Sequence, residues 1–271
     1  MKLFGATMSD PFQNVDDAGI NFAEATAETM EIRQSEPVME RIVSNYLNEL
    51  EFKNNSLTVE IGCGAGSISR RIAQHAGSSK VLGFDPSANY IEMAQKYSKG
   101  HKNLTFSATD GKHIPIEDAA ADHVIFHTVL SHVVEPNLLI AEAHRLLRNG
   151  GKLVICDADF AKATLECFPD DPLSIASASF VRSHVTDPHL IGKIKPLLSD
   201  VGFTIENFDV ASRVVTGTGM RMWVETAVKG MVERNEIGAG LANALVAEYD
   251  RRVQSDILFG FLPFFTFIAE K

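Results

Sequence analysis

Between Leu57 and Cys156 short apolar runs alternate with amphipathic stretches, and this rhythm leaves the chain few folds to choose from. Leu57 to Ile61, Val81 to Phe84, Leu104 to Ala108, His123 to His127 and Lys152 to Cys156 each read as a short strand. Helices fit between them. Ser67 to Ala76 carries Ile68, Ile72, Ala73 and Ala76 on one side. The next helix, capped by Ser87 and stopped by Gly100, turns Tyr90, Met93, Ala94 and Tyr97 inward. A third runs from about Asn137 to Arg148, buries Leu139, Ala143, Leu146 and Leu147, and ends at Asn149-Gly150-Gly151. Strands joined through helices pair in parallel, because the crossover returns the chain to the same end of the sheet. The expectation is an α/β fold with helices on both faces of one sheet.

Two further regions flank this core. Pro37 to Leu50 spaces Met39, Ile42, Val43, Tyr46, Leu47 and Leu50 along one helical face, and Asn21 to Arg33 reads as a less periodic helix before it. After the fifth strand the rhythm loosens. Asp159 to Asp187 reads as irregular, with Pro169, Asp170-Asp171-Pro172 and a Ser/Ala run. A helix from about Pro188 to Val201 then leads into a strand from Phe203 to Val210. Two amphipathic helices follow, lined by Met220, Trp223, Val224, Ala227, Val228 and Met231, and then by Ala242, Leu245, Val246, Tyr249 and Val253. Their stripes serve either the core or the inner face of a lid. Pro263 lacks the N–H that an interior strand needs, so the last strand is expected from Phe264 to Ala269.

Composition removes several function classes. The net charge of −10 opposes broad contact with a phosphate backbone. Three cysteines, Cys63, Cys156 and Cys167, have no metal-ligand spacing, and their odd, sparse count fits a reducing, cytoplasmic compartment. The first residues show no apolar leader, and Ile257 to Ala269, broken by Gly260 and Pro263, is too short to span a bilayer. No low-complexity linker divides the 271 residues, so a single domain is expected.

The segment Val59-Glu60-Ile61-Gly62-Cys63-Gly64-Ala65-Gly66 carries the chemistry. A strand runs into alternate glycines at the start of a helix, where backbone and helix N-terminus approach a ligand closely. Asp85, 19 residues after Gly66 at the end of the next strand, suits the two hydroxyls of a ribose. A dinucleotide fingerprint would place its third glycine where Ser67 stands. Glu60, just before the loop, would repel a pyrophosphate but suits a ligand bearing an ammonium or sulfonium.

With these residues the sequence resembles the class I S-adenosylmethionine-dependent methyltransferases, in particular the ubiquinone/menaquinone-biosynthesis-like branch acting on small molecules. The resemblance rests on VEIGCGAGSIS at 59–69, GFDPS at 83–87, ATDGKHIPIEDAAADHVIFHTVLSHV at 108–133 and LLRNGGKLVICD at 146–157. It implies a Rossmann-like, doubly wound sheet of seven strands, mostly parallel with the last antiparallel. It also implies an N-terminal helical cap over 1–53, a cofactor core over 54–158 and a substrate-side half over 159–271. The helical insertion would occupy 211–256. The cofactor would be S-adenosyl-L-methionine, leaving as S-adenosyl-L-homocysteine. Glu60, Gly62, Cys63, Gly64 and Gly66 would hold its methionine portion and Asp85 its ribose, with Pro86 and Ser87 beside the adenine. Asp110 would accept from the adenine amino group, flanked by Thr109 and Gly111, while His127 and Thr128 would face the sulfonium.

Methyl transfer from a sulfonium needs orientation more than covalent help, and a base only where the acceptor carries a proton. His127, His132 and His184 are the candidate bases, with Asp157 and Asp159 also near the mouth and Arg33 a candidate partner for the cofactor carboxylate. Phe12 and Asn14 could belong to a flap. No metal site is expected, since Asp157, Asp159 and Asp187 offer only a faint likeness to a magnesium site. The acceptor is expected to be a small molecule methylated on oxygen or nitrogen, with Trp223 hinting at an apolar or aromatic one. Two rivals remain, an NAD-dependent oxidoreductase and a non-catalytic module that binds S-adenosylmethionine.

Overall fold

The computed structural model describes residues 10–271, so most of the segment read for a leader lies outside the described residues. Three helices precede the sheet: α1 (Val15–Ala18), α2 (Ile20–Gln34) and α3 (Pro37–Asn48). The core then runs β1 (Leu57–Ile61), α4 (Ser67–His75), β2 (Lys80–Asp85), α5 (Ala88–Tyr97), β3 (Leu104–Ala108), β4 (Ala121–His127), α6 (Pro136–Leu146) and β5 (Leu147–Ala158). It continues through α7 (Leu173–His184), α8 (Ile194–Val201), β6 (Thr204–Val215), α9 (Arg221–Glu233), α10 (Ala239–Gln254) and β7 (Gly260–Glu270).

The seven strands form one sheet in the order β3-β2-β1-β4-β5-β7-β6. β1 to β5 pair in parallel, and β7 lies antiparallel between β5 and β6. Alternate side chains feed opposite faces. Leu153 and Ile155 join the layer under α6 and α8, while Val154 and Cys156 join the layer that also holds Met39, Ile72 and Trp223. The order in which strands are added switches direction between β1 and β4, and the crevice beyond their C-terminal ends is where such sheets bind ligands.

Four elements differ from the sequence expectation. β7 starts at Gly260 and includes Pro263, which stands opposite Ser212. The Pro263 carbonyl accepts from Asp159 N–H at 3.0 Å, so the ring nitrogen faces the same side, just past the end of β5, and costs no bond to β6. β6 extends to Val215, which moves the start of the helical excursion from 211 to 216. Asn149-Gly150-Gly151 lies within β5 as an irregularity opposite β4 rather than as a separate turn. The Ser/Ala run read as irregular is helix α7, packed on α9. Asp171 launches it by accepting from Leu173 N–H at 3.0 Å, and a buried ion pair with Arg252 holds that carboxylate at 2.6 and 2.9 Å. Among the described residues no helix is long and apolar enough to cross a membrane.

Candidate functional site

A cavity of about 370 Å³ opens at the reversal point of the sheet, roofed by α2. Its floor is the loop from β1 to α4. Gly62 and Cys63 donate their N–H groups to the Phe84 carbonyl at 2.7 and 2.9 Å, tying the loop to the end of β2. Gly62, Gly64 and Gly66 have φ of 75°, 51° and 80°, in the left-handed region that side chains resist. A Cβ on Gly62 would stand 2.5 Å from Val129, and one on Gly66 2.8 Å from the Phe106 ring, so both are also required by close packing.

Asp85 is buried beside this loop. Its carboxylate accepts from Gly64 N–H at 2.8 Å and Ser87 N–H at 2.9 Å, and burial still pushes it up to about 6. Asp85, Pro86, Thr109, Asp110 and Gly111 line one end of the cavity together with Gly62 and Gly64. Asp110 accepts from Lys112 N–H at 2.9 Å through Oδ1.

Four residues expected at this end act from behind the wall. Glu60 is buried and its Oε2 accepts from the Ser69 hydroxyl; burial raises its carboxyl to about 8. Cys63 is buried, and its thiol is pushed well up by burial. Gly66 precedes α4. Ser87 caps α5 by accepting from Tyr90 N–H at 3.1 Å, and its hydroxyl donates to Asp16 of α1.

The candidate bases separate clearly. His127 faces away from the cavity, where Gln34 and Tyr46 occupy its two ring nitrogens at 3.2 Å each. Burial, reinforced by Arg33 and Arg71, holds it neutral. His184 stacks on Phe180 at 4.7 Å and is lowered by burial, and its Nδ1 is buried without a partner. His132 lines the cavity, and its Nδ1 lies 2.8 Å from the Asp10 carboxylate. Asp157 is absorbed by Ser131 N–H and hydroxyl at 3.2 and 2.9 Å, and neither it nor Asp159 reaches the cavity wall.

Thr128 lines the cavity with φ of 54°, an uncommon strain for a β-branched residue. Its hydroxyl receives Arg33 Nη2 at 3.1 Å. Arg33 reaches into the cavity, with no acidic partner among the described residues and its Nε buried and unbonded. Burial and nearby Arg213 lower it to about 10. The far end is an aromatic wall in which Trp223 lies between Phe180, stacked at 4.4 Å, and Phe160 at 5.8 Å. Phe12 lines the same end, whereas Asn14 does not. Sequence reasoning missed Phe180 and Asp10. Phe180 lay in the segment read as irregular, and Asp10 is 122 residues from its partner. Among the described residues no group of three or more His, Cys, Asp or Glu is placed to hold a metal ion.

Residues 59–155 match the model of a family described as a methyltransferase domain. Methyltransferase GfsG of Streptomyces halstedii is 27% identical over 48% of this chain and 50% of its own length. Demethylmenaquinone methyltransferase of Tropheryma whipplei is 28% identical over 36% of this chain and 40% of its own. The phosphoethanolamine N-methyltransferase 2 structure from Haemonchus contortus superposes with a TM-score of 0.60 at 17% identity, covering 97% of this chain and 59% of that one. The chain spans about half the length of the curated relatives it matches. Sheet order and glycine loop agree with the family match: residues 59–155 are similar to a methyltransferase domain.

Proposed function

We propose that this chain transfers the methyl group of S-adenosylmethionine to an oxygen or nitrogen of a small, flat, largely apolar acceptor. One observation carries the reading: a single cavity joins the glycine loop and Asp85 to the Phe160–Trp223–Phe180 wall. Its volume of about 370 Å³ falls within the range of small-molecule sites.

The residues fit this cofactor. Asp85 retains lone pairs for the two ribose hydroxyls, with Pro86 beside the base and Asp110 toward the adenine amino group. The unpaired Arg33 suits the methionyl carboxylate, since a guanidinium without an acid in a half-dry site gains most from a bound anion. Glu60 supports the loop through Ser69 rather than by contact. When bound, S-adenosylmethionine supplies an already activated methyl group.

The chain's own part is orientation and exclusion of water. A roof of α2 and a wall of stacked rings hold the acceptor over the loop, and such alignment is worth about 7–11 kcal/mol in favourable cases. His132 is the base where the acceptor must lose a proton. The helices α9 and α10, with α7, form the region proposed to select the acceptor. Three free cysteines support a reducing compartment such as the cytoplasm.

Calorimetry with S-adenosylhomocysteine and with NADH, followed by transfer of labelled methyl to a panel of phenols and amines, tests the proposal. Tight S-adenosylhomocysteine binding and label in one acceptor class are expected. Preferential NADH binding would overturn it, and tight cofactor binding with no transfer to any acceptor would favour a binding module.

A further inference from the structure

We propose that Asp10 is a positioning residue for His132, and that the pair serves an acceptor hydroxyl that loses its proton as it is methylated. The inference rests on the methyl-transfer reading. Asp10 is buried at 5% exposure, and Oδ2 accepts from Thr186 N–H at 3.0 Å while Oδ1 accepts from Phe12 N–H at 2.9 Å. Among the described residues no lysine or arginine pairs with it; His132 Nδ1, at 2.8 Å, is its ionisable partner. A carboxylate fixed in this way selects the tautomer with the proton on Nδ1 and leaves Nε2 as the acceptor.

The ring is held on several sides. Phe12 and Phe160 pack against it at centroid distances of 4.8 and 5.7 Å. Ser131, its neighbour in the turn after β4, is anchored to Asp157. Asp157 and His184 lie close enough to interact with it electrostatically. The Nε2 has no protein partner among the described residues, and His132 lines the cavity beside the aromatic wall. A neutral amine would need no such dyad before attack, whereas a hydroxyl gains from one. The acceptor oxygen forms its bond to the methyl carbon as the carbon–sulfur bond breaks. The electron pair of that bond stays on sulfur, and the hydroxyl proton passes to His132 Nε2.

Asp10 belongs to the segment that enters α1, and that segment is clasped to the core. Asp16 accepts from the Ser87 hydroxyl and from Ala88 N–H at 2.8 Å, at the start of α5. The dyad is therefore complete only when the N-terminal segment is docked.

The test uses the full chain with ¹⁵N-labelled histidine and S-adenosylhomocysteine. Long-range proton–nitrogen correlation, assigned with His132→Gln, should show His132 protonated on Nδ1. Asp10→Asn should move the proton wholly or partly to Nε2, and Asp10→Glu should restore it. S-adenosylhomocysteine affinity in Asp10→Asn should stay within about threefold, which shows that the variant is folded. Labelled methyl transfer to un-ionised phenols should fall about 100-fold or more in Asp10→Asn. Transfer to 4-nitrophenol, largely ionised at pH 8, should fall far less. An unchanged tautomer in Asp10→Asn, equal losses for both phenols, or methylation of amines alone would overturn the inference. Failure of the wild type to bind S-adenosylhomocysteine would instead overturn the methyl-transfer reading, and the tautomer measurement without it would still decide the role of Asp10.

Discussion

Gly64 donates its backbone N–H to the Asp85 carboxylate at 2.8 Å, so the floor of the cavity and the end of β2 share one hydrogen bond. The acid that suits a ribose is thereby part of the loop's own scaffold, and its burial has a measurable consequence.

Asp85 is pushed up to about 6 by burial, and ribose hydroxyls donate best to the ionised form. S-adenosylhomocysteine affinity should rise with pH up to about 6 and level off above it. Below that point it should weaken by up to about tenfold per unit. Calorimetry between pH 5 and 8 checks this, and Asp85→Asn should bind more weakly with the slope abolished. A flat profile in the wild type would contradict the assignment.

Glu60 keeps a proton in the folded state up to about pH 8, because burial outweighs the hydrogen bond from Ser69. The unfolded chain releases that proton near the ordinary 4.5, so wild-type stability drops as pH rises from about 4.5 to about 8. Glu60→Gln lacks this contribution. Urea unfolding should find the two proteins similar at pH 5, with the variant ahead by roughly 1–3 kcal/mol at pH 8.5.

Arg33 has no acidic partner among the described residues, so a ligand carboxylate would supply one. Arg33→Met should weaken S-adenosylhomocysteine binding about 10- to 100-fold, the range for hydrogen bonds to a charged group. Binding of 5′-methylthioadenosine, which lacks the carboxylate, should change less than about twofold. Equal losses for both ligands would refute the role.

Gly62→Ala meets two obstacles, a φ of 75° and the Val129 side chain at 2.5 Å. Thermal and urea unfolding should show a loss of about 2–4 kcal/mol. Adding Val129→Ala should relieve only the steric part, which a double-mutant cycle separates from the backbone part.

The core strands were legible because each is a short apolar run whose ends carry glycine, proline or acid. What escaped notice had particular causes. A proline inside β7 read as a strand breaker, since sequence does not reveal that the neighbouring strand stops one residue earlier. The helix α7 buries Ser177, Ser179 and Ser183 with Ala176, and small residues give no contrast between an apolar and a polar face. His127 was placed at the right strand end, but successive residues of a strand point to opposite sides. Thr128 received the cavity, and His127 received Gln34 and Tyr46 of α2 and α3. The contacts of Asp10, like those of Arg33 with Thr128, bridge about a hundred residues or more and leave no local pattern.

Trp223 is the only tryptophan in the sequence, and it stands in the aromatic wall between Phe160 and Phe180. Excited at the red edge of its absorption, where the tyrosines no longer absorb, the chain emits from one indole, located where the acceptor is expected to rest. Ligands that settle against that wall would alter its emission directly, so unlabelled compound collections can be screened for acceptors by fluorescence before any product is sought.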